Sequence, residues 1–183
     1  MKPDWTINNE WTLFLDRDGV INQQVMNGYV NSLDTFQFLD GTVEALIRLS
    51  ALFGRLIVVT NQRGIGRGIT PADEVERIHQ HIRQTIQKSG GRVDAFYVCP
   101  DTDASSFNRK PNPGMGLQAK HDFPEIDFER SIMIGNSLSD MAFGKKLGMG
   151  TVFLTTTEAA PEPLAAHGID VVFADLQTFA ASF

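Results

Sequence analysis

Leu13-Phe14-Leu15-Asp16-Arg17-Asp18-Gly19 decides how the rest of the chain is read. An apolar run that stops abruptly at two carboxylates has the form of a buried parallel strand ending at a polar site. Asp16 and Asp18 are two positions apart, so if strand geometry persists through them their side chains share one side. Two carboxylates crowded together repel unless a cation or a shared proton offsets them, which points to a divalent metal or to acid–base chemistry. A solvated turn or a helix N-cap would use the same residues. Gly19 lets the backbone turn sharply and come close to a ligand.

Outward from this stretch, short apolar runs alternate with segments of three-and-four spacing. The pattern predicts strands at 11–15, 55–60, 93–99, 131–134, 151–154 and 170–173, and helices over 41–52, 71–88, 114–121 and 139–147. Pro71 suits a helix first turn with Thr70 as cap, while Ser139 can cap the fourth helix and Gly148 can end it. Strict alternation of strand and helix argues for an α/β fold, a mostly parallel sheet covered on both faces. Residues 22–40 and 100–113 are rich in Asn, Asp, Ser, Gly or Pro and read as irregular. The 183 residues, 42% of them hydrophobic, suffice for one sizeable core, and a single domain over 1–183 is expected.

The formal net charge of -6 gives no bulk attraction for nucleic acid or an anionic membrane, so selectivity for phosphate must be local. One cysteine, Cys99, cannot form an internal disulfide and fits a reducing compartment, the cytoplasm by default. No apolar run has the length of a signal peptide or a membrane span.

In an open parallel sheet a ligand lies beyond the carboxyl ends of the strands, so the residues after each apolar run carry the chemistry. Thr60, Asn61 and Gln62 follow the second run and precede Gly64, Gly66 and Gly68, a loop whose free amides could cradle phosphate, with Arg63 and Arg67 beside them. Ordinary turn chemistry also uses Thr-Asn at a strand end. Arg109-Lys110-Pro111 could fix a cation against a phosphoryl oxygen, or could be a basic turn. Gly135-Asn136 ends the fourth run, and Asp140 follows where a helix N-terminus favours a carboxylate in any case.

Taken in order, Asp16-x-Asp18-Gly19, Thr60, Lys110 and Gly135-Asn136-x-x-x-Asp140 resemble the four motifs of the haloacid-dehalogenase (HAD) superfamily of phosphatases. Phe14 to Asn22, Gly28-Tyr29-Val30, Thr60-Asn61-Gln62 with Gly64-Ile65 and Arg67-Gly68, and Arg109-Lys110-Pro111-x-Pro113-Gly114-Met115 are similar to one branch of it. That branch holds the heptose-bisphosphate phosphatases and the phosphatase domain of histidinol-phosphate phosphatases. The resemblance runs from Leu13 to Leu154 and implies a Rossmann-like three-layer sandwich. It implies Asp16 as nucleophile through an aspartyl phosphate, Asp18 as general acid and base, and Thr60 and Lys110 on the transferring oxygens. Magnesium would sit among Asp16, the carbonyl of Asp18 and Asn136, with Asp140 in or behind that set. Asn61, Gln62, Arg67 and Arg109 would touch the substrate.

Two departures from the family pattern matter. Asn136 stands where the motif usually has Asp, so the metal site loses one formal charge and weaker magnesium binding is expected. Many branch members bind structural zinc after the third strand; here Cys99 is followed by Pro100, Asp101, Thr102 and Asp103, without another Cys or a His before Arg109, and no zinc is expected. His79, His81, His121 and His167 read as surface or packing residues. About forty residues separate Asp18 from Thr60, too few for a large cap beside a helix, so cover is expected from residues 22–40, with Tyr29, Phe36 and Phe38, and from the 100–108 loop. The expected substrate is a small phosphate ester, with heptose 1,7-bisphosphate first and histidinol phosphate second; the expected state is a monomer. A phosphate-binding protein without turnover is the alternative of another class, with Asn136 its support.

Overall fold

β1 (Thr12–Leu15) is apolar and buried on both sides, and its alternation builds two layers of core at once. Leu13 and Leu15 face a cluster with Leu46, Leu49, Ile78, Ile82 and Phe179, whereas Phe14 faces Met115, Ala119 and Phe143. The first group comes from α1 (Thr42–Leu52), α3 (Ala72–Lys88) and α6 (Leu176–Ala180), the second from α4 (Gly114–Asp122) and α5 (Leu138–Leu147). Each Leu, Ile or Phe so buried contributes about 1.5–3 kcal/mol, which keeps the strand ends rigidly placed.

This computed structural model describes residues 5–183; residues 1–4, the beginning of the stretch read as carrying no leader, lie outside the described residues. β2 (Arg55–Asn61), β3 (Ala95–Cys99), β4 (Ser131–Gly135), β5 (Gly150–Leu154) and β6 (Val171–Phe173) join β1 in one sheet of order β3-β2-β1-β4-β5-β6. Every pairing is parallel. The chain therefore leaves β1 toward one edge and returns beside it as β4, a reversal that opens a crevice at the carboxyl end of β1. A short helix, α2 (Arg63–Gly66), follows β2 directly. Between β1 and α1 the chain forms only a 3-10 turn, Leu33–Thr35, and isolated bridges of Asn22 to Asp18 and Phe38, so no large cap is inserted there. No helix of the described residues is long and apolar enough to cross a membrane.

Two helix starts differ from expectation. Pro71 is extended, with φ -62° and ψ 136°, so α3 begins at Ala72, and the Thr70 hydroxyl is buried without a partner instead of capping. α5 is capped by Ser137, not Ser139: the Ser137 N–H and hydroxyl both donate to Asp140 Oδ2, at 3.1 and 2.7 Å. β3 starts at Ala95 because the Asp94 carboxylate, not a strand carbonyl, accepts from Leu56 N–H at 2.7 Å.

Candidate active site

Asp16 lies one position beyond β1, its N–H donating to Ile134 C=O at 3.0 Å. The chain then turns at once, with the Arg17 carbonyl accepting from the N–H groups of Val20, Ile21 and Asn22. Gly19 has φ +82°, and a Cβ there would stand 2.2 Å from Asn136 Nδ2, so only glycine lets the turn lie against the end of β4. Strand geometry does not persist to Asp18; the turn, not strand alternation, brings both carboxylates to one cavity of about 230 Å³.

Lys110 holds the centre of that cavity. Its buried Nζ donates to Asp16 Oδ1 at 2.9 Å and to Asp140 Oδ1 at 2.6 Å. Burial alone would lower the Lys110 pKa, but Asp140 and Asp16 reverse this and raise it. Burial pushes Asp16 up to about 6 against the pull of Lys110, with Asp140 and Asp18 adding to the rise. The Lys110 backbone is itself pinned: its N–H donates to Asn61 Oδ1 at 3.0 Å and its C=O accepts from Asn61 Nδ2 at 3.1 Å.

Asp18 is held differently. Its carboxylate accepts from Arg17 Nη2 at 2.8 Å, Asn22 Nδ2 at 2.9 Å and Gln62 Nε2 at 2.8 Å. Burial raises its pKa, but Arg17 and these hydrogen bonds outweigh burial and hold it below the usual carboxylate range. Arg17 is completely buried, with Nη1 3.5 Å from Nε2 of His79, whose ring stacks on Phe96 at 4.5 Å. Burial first, then Arg17, pushes His79 down to about 3, so this histidine is a neutral packing residue.

Across the cavity Asn136 donates Nδ2 to Gln24 Oε1 and to Thr157 Oγ1, each at 3.0 Å. Oδ1 is thereby left as its acceptor atom, without a hydrogen-bond donor among the described residues. Asp140, expected in or behind the metal set, gives Oδ1 to Lys110 and Oδ2 to Ser137, and so ties Lys110 to the start of α5.

Asp16, Asp18, Asn61, Gln62, Lys110, Asn136 and Asp140 all line the cavity, as do Gln24, Val25, Tyr29 and Arg63. Thr60 is buried behind it, accepting from Gln62 Nε2 at 2.8 Å. All four expected substrate contacts are otherwise engaged, Asn61 with the Lys110 backbone. Gln62 bridges Asp18 and Thr60, Arg67 donates to the Tyr29 hydroxyl at 3.0 Å, and Arg109 donates to the Asp101 carbonyl at 3.0 Å. The cover comes from Gln24 to Val30; Phe36 and Phe38 pack on His81 instead. The loop after β3 is tied internally: Ser105 N–H and Oγ both donate to Asp103 Oδ1 at 2.8 Å, Ser106 to Asp101, and Asn112 Nδ2 to the Ser106 carbonyl at 2.9 Å. Burial raises the pKa of the Cys99 thiol beneath it. A second cleft of about 610 Å³ lies at the amino ends of the strands, but its Arg55 and Arg130 are paired with Asp94, Glu125, Glu10 and Asp127.

The sequence reading missed Arg17, Asn22, Gln24, Ser137 and Thr157. Asn22 and Arg17 stood in the quoted motif and both donate to Asp18, but contacts inside an irregular turn leave no periodic signal.

A parallel sheet whose switch point gathers the carboxylate of Asp16, a buried lysine and a turn that carries Asp18 has the form of a phosphoryl-handling hydrolase. The chain belongs to the HAD hydrolase family and is a phosphatase. The HAD-hydrolase-like family model matches residues 107–179. The chain is 41% identical over 134 residues to the D-glycero-alpha-D-manno-heptose-1,7-bisphosphate 7-phosphatase of Mycobacterium tuberculosis (strain ATCC 25618 / H37Rv), covering 73% of this chain and 70% of that protein. It is 36% identical over 172 residues to the D-glycero-beta-D-manno-heptose-1,7-bisphosphate 7-phosphatase of Escherichia coli (strain K12), covering 90% and 88%. Its fold is similar to the crystal structure of D,D-heptose 1,7-bisphosphate phosphatase from B. bronchiseptica complexed with magnesium and phosphate, with TM-score 0.83, 30% identity, and coverage of 94% and 97%.

Proposed function

We propose that this phosphatase hydrolyses a sugar phosphate, heptose 1,7-bisphosphate first, with Asp16 as nucleophile and Asp18 as general acid and base. The observation that carries the reading is the array of Asp16 and Asp140 on the buried Lys110 beside an independently held Asp18. An Asp16 oxygen forms a bond to phosphorus as the ester P–O bond breaks, and the departing alkoxide takes a proton from the Asp18 carboxyl. Water then gives a proton to the Asp18 carboxylate while its oxygen attacks phosphorus, and the Asp16–phosphoryl bond breaks to release inorganic phosphate. The resting Asp18, held ionised by Arg17, is ready for the second half; an arriving phosphate dianion raises its proton affinity for the first. Lys110, kept charged by two carboxylates, faces the oxygens on which charge develops. Asp140 holds it there, and Thr60 and Gln62 fix the position of Asp18.

The donor set fits a magnesium ion. Asp16 is a half-buried carboxylate that gives Oδ1 to Lys110, and Asn136 offers Oδ1 because Gln24 and Thr157 take its N–H groups. Asp16, Asn136 and the Asp18 carbonyl would hold the ion, which when bound supplies charge neutralisation between nucleophile and phosphate. The chain is proposed to act as one domain, a monomer in the cytoplasm, without structural zinc, because the loop after β3 is secured by its own side chains. About one equivalent of tightly bound zinc by elemental analysis would contradict this.

The test is phosphate release from a panel of esters with magnesium, comparing wild type with Asp16→Asn. Turnover by wild type, fastest on heptose bisphosphate, and its loss in the variant are expected. A preference for histidinol phosphate would replace the substrate, and binding without turnover would replace the enzyme reading by that of a phosphate binder.

A further inference from the structure

Two cations line the active-site cavity, and only one of them is paired among the described residues. Lys110 is fully engaged between Asp16 and Asp140. The Arg63 side chain has no ion pair and no hydrogen bond among the described residues, and its Nε is buried without an acceptor. Such a buried N–H is a cost the fold carries unless a ligand meets it. The three carboxylates that line the cavity all bond other groups: Asp16 pairs with Lys110, Asp18 with Arg17, Asn22 and Gln62, and Asp140 with Lys110 and Ser137. Neighbouring polar groups on the same loop are committed too, Asn61 to the Lys110 backbone and Arg67 to Tyr29. Arg63 is therefore a guanidinium at the cavity wall whose charge no described residue pairs.

A guanidinium presents paired N–H donors that match the oxygens of a phosphate. The transferring phosphoryl group already has Lys110 as its cation, so the surplus charge at Arg63 suits a second anionic group on the same substrate. We propose that Arg63 is the subsite for a second, non-reacting phosphate, and that it makes this cavity select a doubly phosphorylated sugar over its singly phosphorylated counterpart. The inference rests on the reading of the chain as a sugar-phosphate phosphatase and deepens it.

The test compares two substrates that share the phosphate to be removed, heptose 1,7-bisphosphate and heptose 7-phosphate, in wild type, Arg63→Gln and Arg63→Lys. Wild type is expected to favour the bisphosphate in kcat/KM by roughly ten- to a hundredfold, the range of a charge-assisted contact. In R63Q that ratio falls to within about threefold of unity, chiefly through the bisphosphate KM, and R63K, a point charge without the fork, lies between. A ratio near unity in wild type, a ratio that survives in R63Q, or an equal loss on both substrates would overturn the proposal, the last because Arg63 would then serve the transferring group or the fold. If p-nitrophenyl phosphate is hydrolysed but neither heptose ester is, the heptose reading fails on its own. Inhibition of that hydrolysis by fructose 1,6-bisphosphate and fructose 6-phosphate then decides the matter. Selective weakening of the bisphosphate in R63Q supports the subsite, and equal inhibition constants in the two proteins reject it.

Discussion

Lys110 is the residue on which the site's electrostatics turn, since its ammonium pairs with the carboxylates of both Asp16 and Asp140. Lys110→Met leaves both without a counterion among the described residues and removes the cation proposed to face the transferring oxygens. We expect kcat to fall by roughly a hundred- to a thousandfold and the protein to lose about 3 kcal/mol of stability, read from steady-state kinetics and denaturant melts. Lys110→Arg should recover stability more than activity, because its fork does not fit the space of an ammonium. At Asn136 the prediction concerns the metal. Asn136→Asp restores a formal charge, Thr157 can donate its hydroxyl to the new carboxylate, and the magnesium needed for half-maximal activity should fall. Thr157→Val should raise it by releasing the Asn136 amide; titrations in which neither variant moves the midpoint would remove Asn136 from the metal set.

At the scale of elements, α3 and the β1 turn are joined through Arg17 and His79, and this joint carries a pH dependence. His79 has a folded pKa near 3 against 6.5 in its ordinary state, so the unfolded chain binds the extra proton between these values. The contribution is fully present above about pH 6.5 and is lost as pH falls toward 3. Between pH 7 and pH 5 it should cost about 1–2 kcal/mol, and His79→Gln should flatten that part of the profile in urea melts. None of this was legible in the sequence, because Arg17 and His79 are far apart in the chain and neither shows periodicity. Other elements were legible for the opposite reason: the unbroken apolar run of β1 and the spacing in α3 are local and strong. α6 was not read because five residues are too few for a helical period. The cap of α5 was misread by two residues because both serines precede apolar spacing, and only the carboxylate of Asp140 chooses Ser137.

Over the whole molecule, the sheet order puts β1 at the reversal point, so Asp16, the end of β2, Lys110 and the end of β4 meet although they are scattered along the chain. Residues after strands could be picked out from sequence because topology sends all parallel strand ends to one edge. What the sequence could not tell is which polar groups face the ligand and which hold other residues in place. Gln62 and Asp140 look alike as site candidates, yet Gln62 steadies Asp18 while Asp140 steadies Lys110. The same rigidity makes the central claim open to one direct measurement. Turnover of a good phosphate ester with magnesium, quenched in acid within a single cycle and followed by peptide mapping with mass spectrometry, should find a phosphoryl group on Asp16 and none in Asp16→Asn. Full activity in a protein whose Asp16 is never phosphorylated would contradict the account.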